Sequence, residues 1–169
     1  MRPKLLMTVF VLTLVMPAMG FAVQAGDAAP SWVGRDLSGN TVEFPAIADG
    51  APTVLLFWAT WCPYCKAFIP QLEAIQNEYA KANVRVLAIN FKEDGDVAAY
   101  INGLDFRLQT IVDGDAIAAA YDVQFTPGIM VINGEGTVTF RRASTDLPPD
   151  ITLAEMWAQQ VRSALDGAL

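Results

Sequence analysis

The fold of this chain follows from the segment Thr53-Val54-Leu55-Leu56-Phe57-Trp58-Ala59-Thr60-Trp61-Cys62-Pro63-Tyr64-Cys65. Residues 53–59 form a continuous apolar run after a proline, which is typical of a β-strand buried on both faces. A helix is expected to begin near Pro63 and to contain Pro70, which should kink it. The apolar face of this helix carries Phe68, Leu72, Ile75 and Tyr79 at helical spacing.

Strand patterns alternate with helix patterns along the rest of the chain. Buried strands are predicted over 84–91 and 108–112, with a helix over 94–102 and another from a capping Asp115 to position 121. Thr152-Leu153-Ala154-Glu155 has the spacing of a capping box and predicts the start of a last helix. The apolar face of that helix carries Leu153, Trp157, Val161 and Ala164.

Two hairpins complete the pattern. Residues 36–44 look like a small hairpin with Ser38-Gly39-Asn40 as its turn, preceded by a short linker over 27–31. Residues 129–141 alternate around Gly134-Glu135-Gly136 and predict a second hairpin. Because strands alternate with helices and end in a hairpin, we expect an α/β domain with a central mixed β-sheet flanked by helices.

Cys62 and Cys65 are the only cysteines, and both lie at the start of the predicted helix. Free backbone N–H groups and the positive end of the helix dipole stabilise a thiolate there and lower the pKa of the thiol. We expect Cys62 to be exposed and to attack, and Cys65, one turn further, to be covered and to resolve. A disulfide over two intervening residues adds little entropic stabilisation, so the pair suits exchange better than stapling.

Other uses of the cysteine pair have less support. A structural disulfide would constrain almost nothing at this spacing. No further cysteine and no histidine exists to complete a zinc site, and the lack of histidine also rules out haem attachment and a copper-chaperone site. We therefore expect no metal and no cofactor, with the Cys62–Cys65 dithiol itself as the redox group.

Charge and composition exclude further classes of protein. The chain carries 11 basic and 18 acidic side chains, a net charge of −7, and it has no basic cluster. Nucleic acid is an unsuitable partner, because binding it requires neutralised phosphates. Without histidine, neither Ser-His-Asp nor Cys-His catalysis is possible. A hydrophobic fraction of 53% is too high for a disordered chain.

The first 25 residues have the layout of a secretory signal. Basic residues precede an apolar stretch, and Val23-Gln24-Ala25 offers small residues at a cleavage site. We predict a signal peptide over 1–25 and one domain over 26–169. Residues 5–23 are also long enough for an uncleaved anchor in the inner membrane, and both alternatives stay open. Either one delivers the domain to the periplasm or another extracytoplasmic compartment.

Residues 57–65 together with Pro70 resemble the active-site segment of the thioredoxin superfamily, in particular its exported TlpA-like and cytochrome c maturation branch. Residues 121–128 and the hairpin after them resemble the cis-proline segment of that branch. Asn90-Phe91-Lys92-Glu93 resembles the segment after its second core strand, and the first hairpin resembles its N-terminal addition. The resemblance covers residues 28–166 and implies a thioredoxin fold with an N-terminal β-hairpin.

The resemblance also implies roles for individual residues. Both cysteines would be catalytic. Thr126-Pro127 would be a cis peptide that faces them and leaves neighbouring backbone groups free to pair with a substrate strand. Trp61 would cover one side of the disulfide and contact the partner, and Pro63 and Tyr64 would join it in substrate binding.

Two departures from the family pattern concern proton transfer. Many members of the branch carry Glu at the position of Phe68, and plain thioredoxins carry a buried Asp at the position of Leu56. Neither proton acceptor is present, and either a water molecule or Glu93, at the end of the next strand, could substitute. Pro63-Tyr64 is the dipeptide of glutaredoxins, which are more oxidising than thioredoxin, so the direction of electron flow stays open.

The sequence therefore predicts an exported thiol–disulfide oxidoreductase that reduces disulfides in partner proteins and receives electrons from a membrane donor. The resemblance also implies cytochrome c maturation as a process in which it could act. The same chemistry in reverse would make it an oxidase or isomerase. A non-catalytic thioredoxin-fold binding module, whose cysteines regulate docking, is the alternative from another class. A peroxidase is disfavoured, because peroxiredoxins need Thr or Ser three residues before the attacking cysteine, where this chain has Ala59.

Overall fold

Seven strands form one mixed sheet in the computed structural model, which describes residues 22–104, 106–143 and 149–169. The strands are β1 (Trp32–Asp36), β2 (Thr41–Phe44), β3 (Thr53–Trp58), β4 (Arg85–Asn90), β5 (Gln109–Val112), β6 (Gly128–Ile132) and β7 (Val138–Arg141). They lie side by side in the order β2-β1-β5-β4-β3-β6-β7. The central strands β3, β4 and β5 run parallel, and every other neighbouring pair is antiparallel. The predicted mixed sheet is confirmed.

Helices cover this sheet on both faces. They are α1 (Pro63–Glu78), α2 (Val97–Asn102), α3 (Asp115–Ala120) and α4 (Leu153–Asp166). Val54, Leu56 and Trp58 of β3 pack with α1 and α4 on one face. Leu55 and Phe57 pack with α3 on the other face. Because β3 is buried on both sides, its sequence reads as an unbroken apolar run.

Helices α1 and α4 pack against each other through their apolar faces. The Phe68 ring of α1 meets the Trp157 ring of α4 edge-on, with centroids 5.7 Å apart. At the far ends of the two helices, the Tyr79 hydroxyl donates to the Asp166 carboxylate at 2.6 Å, and this hydrogen bond raises the pKa of Tyr79 to about 12. The packing holds α1 against the sheet, so its N-terminus stays at the end of β3.

The predicted helix starts are confirmed in one case and wrong in another. The capping box of α4 is present, with Thr152 Oγ1 accepting from the Glu155 N–H at 3.2 Å and the Thr152 N–H donating to the Glu155 carboxylate at 2.7 Å. The prediction that Asp115 caps α3 is wrong, because Gly114 is the N-cap residue. Asp115 instead accepts a hydrogen bond from the Lys92 N–H at 3.1 Å, so a tertiary contact takes the place of the local cap.

The first hairpin begins earlier than the sequence pattern predicts. Its first strand is β1, and residues 37–40 form the turn. Trp32 of β1 stacks on Phe44 of β2 with ring centroids 5.8 Å apart, a contact between strands that no local alternation reveals. The segment 27–31, predicted as a linker, is also paired: Ala29 N–H donates to the Gly136 carbonyl at 2.8 Å, beside β7.

The predicted signal peptide or anchor over 1–25 lies outside the described residues, except for positions 22–25. Val23 packs against the core that contains α3, and its carbonyl accepts a hydrogen bond from Arg141 at 3.0 Å. Within the described ranges, no helix is long and apolar enough to cross a membrane.

Candidate active site

The two cysteines lie where β3 ends and α1 begins, and they form a disulfide. Cys62 is the N-cap residue of α1, Pro63 is the first residue of the helix, and Cys65 lies one turn further. The Cys65 N–H donates to Cys62 Sγ at 3.2 Å. After reduction, this N–H and the positive end of the helix dipole would stabilise a thiolate at Cys62.

Cys62 is buried in the disulfide form, so the prediction that it is exposed is wrong for this form. Its relative exposure is 1%, and that of Cys65 is 0%. Because Cys62 caps the helix and is bonded to Cys65, its sulfur belongs to the core between the sheet, α1 and α4. A partner that approaches the buried disulfide therefore contacts the exposed side chains around it first. The attacking and resolving roles of the two cysteines stay predictions.

Exposed aromatic side chains lie around the disulfide, on the loops and on the first turn of α1. Trp61 is 49% exposed, Tyr64 55% and Phe125 79%. The Trp61 indole donates to the Lys92 carbonyl at 2.8 Å, which fixes one edge of the ring. The exposure of Trp61 and Tyr64 suits their predicted substrate contacts, which stay predictions. Phe125 is a residue that sequence reasoning missed, because a single aromatic residue in a loop forms no pattern.

The Thr126-Pro127 peptide is cis, as the resemblance implies. It directly precedes β6, whose Gly128 is paired with Phe57 near the end of β3, so the cis peptide and the disulfide lie at the same end of the two neighbouring strands. Tyr64, Thr126 and Pro127 line one cavity of about 470 Å³. The structure thus brings three of the five predicted substrate-binding residues together. Trp61, in the loop over 59–62 between β3 and α1 (the disulfide loop), and Pro63, the first residue of α1, are exposed nearby.

Glu93 accepts hydrogen bonds from the disulfide loop, and its low pKa makes it a weak base near neutral pH. Its carboxylate accepts from the Thr60 N–H at 2.8 Å, the Thr60 hydroxyl at 2.7 Å and the Asn90 amide at 2.8 Å, and from two backbone N–H groups that follow it. Burial alone raises the pKa of this carboxyl, but the donated hydrogen bonds outweigh it and lower the pKa to about 2. These hydrogen bonds and the low pKa count against Glu93 as the replacement for the missing proton acceptors. Glu93 holds Thr60 in place, two residues before Cys62.

Lys92 connects the disulfide loop with the cis-proline loop. Its carbonyl accepts from the Trp61 indole, and its ammonium donates to the Gln124 carbonyl at 2.7 Å. The same ammonium lies 6.0 Å from the centre of the Phe125 ring. Sequence reasoning included Lys92 only as part of a family segment, because this bridge joins three segments that are far apart in the chain.

The two positions where family members carry acids are apolar and fully buried. Phe68 and Leu56 belong to the same core as the cysteines. An apolar environment disfavours the charged form of a thiol, and neither side chain can accept a proton from Cys65. The departure noted in the sequence is therefore a feature of the folded site.

Arg142 lies beside the cis-proline, a position that nothing in the sequence indicates. Its Nε donates to the Pro127 carbonyl at 2.9 Å, and its guanidinium lies 5.2 Å from the centre of the Trp157 ring. Burial lowers the pKa of Arg142 from its ordinary value, and the group stays charged at neutral pH. Only the return of β7 beside β6 brings this residue to the site.

The site contains a disulfide, which can take part in thiol–disulfide exchange. Across 22–104, 106–143 and 149–169, no group of three or more His, Cys, Asp or Glu residues could hold a metal ion. A CxxC pair at a helix start, next to a cis-proline loop on a mixed sheet, is the arrangement of a thioredoxin-like protein-disulfide oxidoreductase. The chain belongs to the AhpC/TSA family, whose model matches residues 25–141.

Similar proteins share this activity and this fold. The thiol:disulfide interchange protein DsbE of Yersinia pestis is 30% identical over 132 residues, which cover 75% of this chain and 68% of that protein. A solved structure with a similar fold is that of a secreted disulfide oxidoreductase of Mycobacterium tuberculosis, homologous to DsbE of E. coli. Its TM-score is 0.59 at 26% identity, and the match covers 78% of this chain and 95% of that chain. The thioredoxin domain of a thiol-disulfide oxidoreductase from Bacteroides vulgatus has the same fold, with a TM-score of 0.66, 19% identity and coverage of 83% and 99%. The protein is a thiol–disulfide oxidoreductase.

Proposed function

We propose that this protein reduces disulfides in partner polypeptides outside the cytoplasm, through a mixed disulfide at Cys62 that Cys65 resolves. The observation that carries the proposal is the Cys62–Cys65 pair at the N-terminus of α1, at the same end of the sheet as the cis Thr126-Pro127 peptide. A docking module would not need a reactive pair and a strand-binding loop together, so their combination supports catalysis.

The exchange proceeds in two balanced steps. The Cys62 thiolate attacks one sulfur of a partner disulfide, forms the mixed disulfide and expels the other partner sulfur as a thiolate, which takes a proton from water. Cys65 then loses its proton and attacks Cys62 Sγ. This second step closes the Cys62–Cys65 disulfide and releases the first partner sulfur as a thiolate. Two electrons pass from the protein to the partner.

The backbone of Thr126 supports strand binding by the partner. Among the described residues, neither its N–H nor its carbonyl takes part in a backbone hydrogen bond. An extended partner segment can pair with these groups as an added strand. The partner's side chains would then contact the exposed rings of Trp61, Tyr64 and Phe125 at this end of the sheet.

We propose that release of the Cys65 proton limits the second step near neutral pH. Phe68 and Leu56 offer no acceptor, and the Glu93 carboxylate is engaged by donors on both oxygens. Water is the remaining acceptor, and the apolar surroundings of Cys65 disfavour its thiolate.

The proposal also covers the cellular location of the protein and its partners. The signal-like layout of 1–25 and the secreted relative from Mycobacterium tuberculosis support an extracytoplasmic site, by cleavage or by anchoring in the inner membrane. There, each turnover leaves the Cys62–Cys65 disulfide, so a donor must supply two electrons to reduce it, and we propose a membrane-bound dithiol as that donor. Polypeptides of cytochrome c maturation are the substrates that the family resemblance favours.

Reduction of insulin by dithiothreitol tests the proposal. The full chain should accelerate precipitation of the reduced insulin chain, the Cys62→Ser variant should not, and Ala67→Ser, an exposed change on the same helix turn, should match the wild type. If the wild type is no faster than Cys62→Ser, the protein is a binding module. A measured reduction potential near the thioredoxin and glutaredoxin range of about −270 to −200 mV fits a reductase, whereas one near about −120 mV would reverse the direction to oxidation.

A further inference from the structure

The cavity beside the cis-proline has one charged residue in its described lining. Arg142 shares the cavity, of about 470 Å³, with the ring of Trp157, with Pro127 and with the exposed side chains of Tyr64 and Phe125. No acidic side chain lies among these described lining residues. A pocket at the edge of the substrate-binding loop therefore presents a cation on an aromatic floor.

Arg142 has hydrogen-bonding capacity that the described chain does not use. Its Nε is bonded to the Pro127 carbonyl, but within the described residues neither Nη atom has a hydrogen-bond partner and no carboxylate forms an ion pair with it. The neighbouring Arg141 differs, because both its Nη atoms donate to carbonyls, at 2.7 Å to Tyr121 and at 2.7 Å to Asp122. A half-buried guanidinium with free donors favours a carboxylate that arrives with a ligand.

We propose that Arg142 selects partner polypeptides that carry Asp or Glu close to the reacting cysteine. The inference rests on the proposed function, which places that cysteine at Cys62 and the partner's backbone beside Thr126. Arg142 Nε donates to the carbonyl of the next residue, Pro127, so its Nη atoms, unpaired among the described residues, would lie next to the partner strand. Because an extended strand advances about 3.3 Å per residue, a carboxylate within about three residues of the cysteine is in reach.

The surroundings make this contact specific. The guanidinium lies 5.2 Å from the centre of the Trp157 ring, and its planar fork suits bidentate binding of a carboxylate. The chain as a whole carries a net charge of −7, so its long-range field disfavours acidic segments. A preference for an acidic partner must therefore come from a local cation. Salt screens a partly buried ion pair less than it screens an exposed one.

Single-cysteine peptides test the proposal directly. Each peptide is supplied as a mixed disulfide with thionitrobenzoate, and the reduced full chain releases the coloured thiol when Cys62 attacks the peptide sulfur. Pairs of peptides differ only by Asp or Asn, at each of the three positions before and after the cysteine. At one or more positions, we expect the Asp peptide to react roughly three- to tenfold faster than its Asn pair.

Two variants separate a local contact from a general charge effect. Arg142→Gln keeps a donor for the Pro127 carbonyl and should bring the Asp/Asn rate ratio to about one. Lys66→Gln removes the same charge from an exposed position beside Cys65 and should keep the ratio of the wild type. An equal rate for every pair in the wild type, an unchanged ratio in Arg142→Gln, or a loss of the ratio in Lys66→Gln would each overturn the inference while leaving the oxidoreductase function intact. If no peptide reacts with the wild type, the proposed function itself fails.

Discussion

Replacing Glu93 by Gln should destabilise the disulfide loop, although the two side chains have nearly the same shape. Oε2 of Glu93 accepts from the Thr60 N–H and the Asn90 amide. Oε1 accepts from the Thr60 hydroxyl and from the N–H groups of Asp94 and Gly95. A Gln side chain carries one oxygen and one NH₂ group, so in either orientation the NH₂ group meets at least two donors where an acceptor is needed.

The size of the effect can be worked out in two ways. Each buried donor left without an acceptor costs about 1–3 kcal/mol. Independently, the fall in the pKa of Glu93 from 4.5 to about 2 corresponds to ~3 kcal/mol at about 1.4 kcal/mol per pKa unit, which solvent screening of this partly exposed carboxylate reduces to about 2 kcal/mol. We therefore expect Glu93→Gln to lower the free energy of unfolding by about 2 kcal/mol at neutral pH.

The pH dependence of this difference has a definite sign. The pKa of Glu93 is lower in the folded chain than in the unfolded chain, so its stabilisation is complete above about pH 4.5 and is lost as the pH falls toward about 2. The Gln side chain does not titrate. The stability difference between wild type and variant should therefore stay constant from neutral pH to about pH 5 and shrink below about pH 4.5.

Urea unfolding of the oxidised proteins measures this difference, through the transition midpoint and its slope at each pH. Glu135→Gln, an exposed change in the turn before β7, is the matched control and should stay within about 0.5 kcal/mol of the wild type. The reasoning is refuted if Glu93→Gln is as stable as the control at neutral pH. It is also refuted if the loss is the same at acid pH as at neutral pH.

Three further predictions concern the cysteines, the proton and the N-terminus. Cys65→Ser should trap a mixed disulfide with a partner and Cys62→Ser should not; in the reduced wild type, iodoacetamide should label Cys62 first, and the opposite order would exchange the two roles. Phe68→Glu places an acceptor one turn from Cys65 and should speed single-turnover reduction of a peptide disulfide near neutral pH, at a cost of roughly 3–5 kcal/mol in stability from the lost core ring. An unchanged rate and pH profile in a folded Phe68→Glu variant would show that another group carries the proton. N-terminal sequencing of the exported protein should show cleavage after Ala25; an intact N-terminus in the membrane fraction would mean anchoring, and one in the cytosol would contradict export.

Local signals in the chain were sufficient to predict the order of strands and helices and the position of the cysteine pair. The apolar run of β3, the stripe of α1 and the capping box of α4 all depend on residues close in sequence, where strand and helix periodicity act directly. The same signals placed both cysteines at the start of a helix, and the structure confirms it. The resemblance added the cis peptide at Thr126-Pro127, which spacing alone does not predict.

Which groups surround the cysteines became visible only in the folded chain. Glu93 meets Thr60 across 33 positions because β4 runs parallel to β3, and Arg142 meets Pro127 across 15 positions because β7 returns beside β6. The burial of Cys62 likewise depends on the packing of α1 and α4 on the sheet. Strand register follows from burying a whole face of the sheet, so residues that are distant in the chain meet without sharing any local pattern.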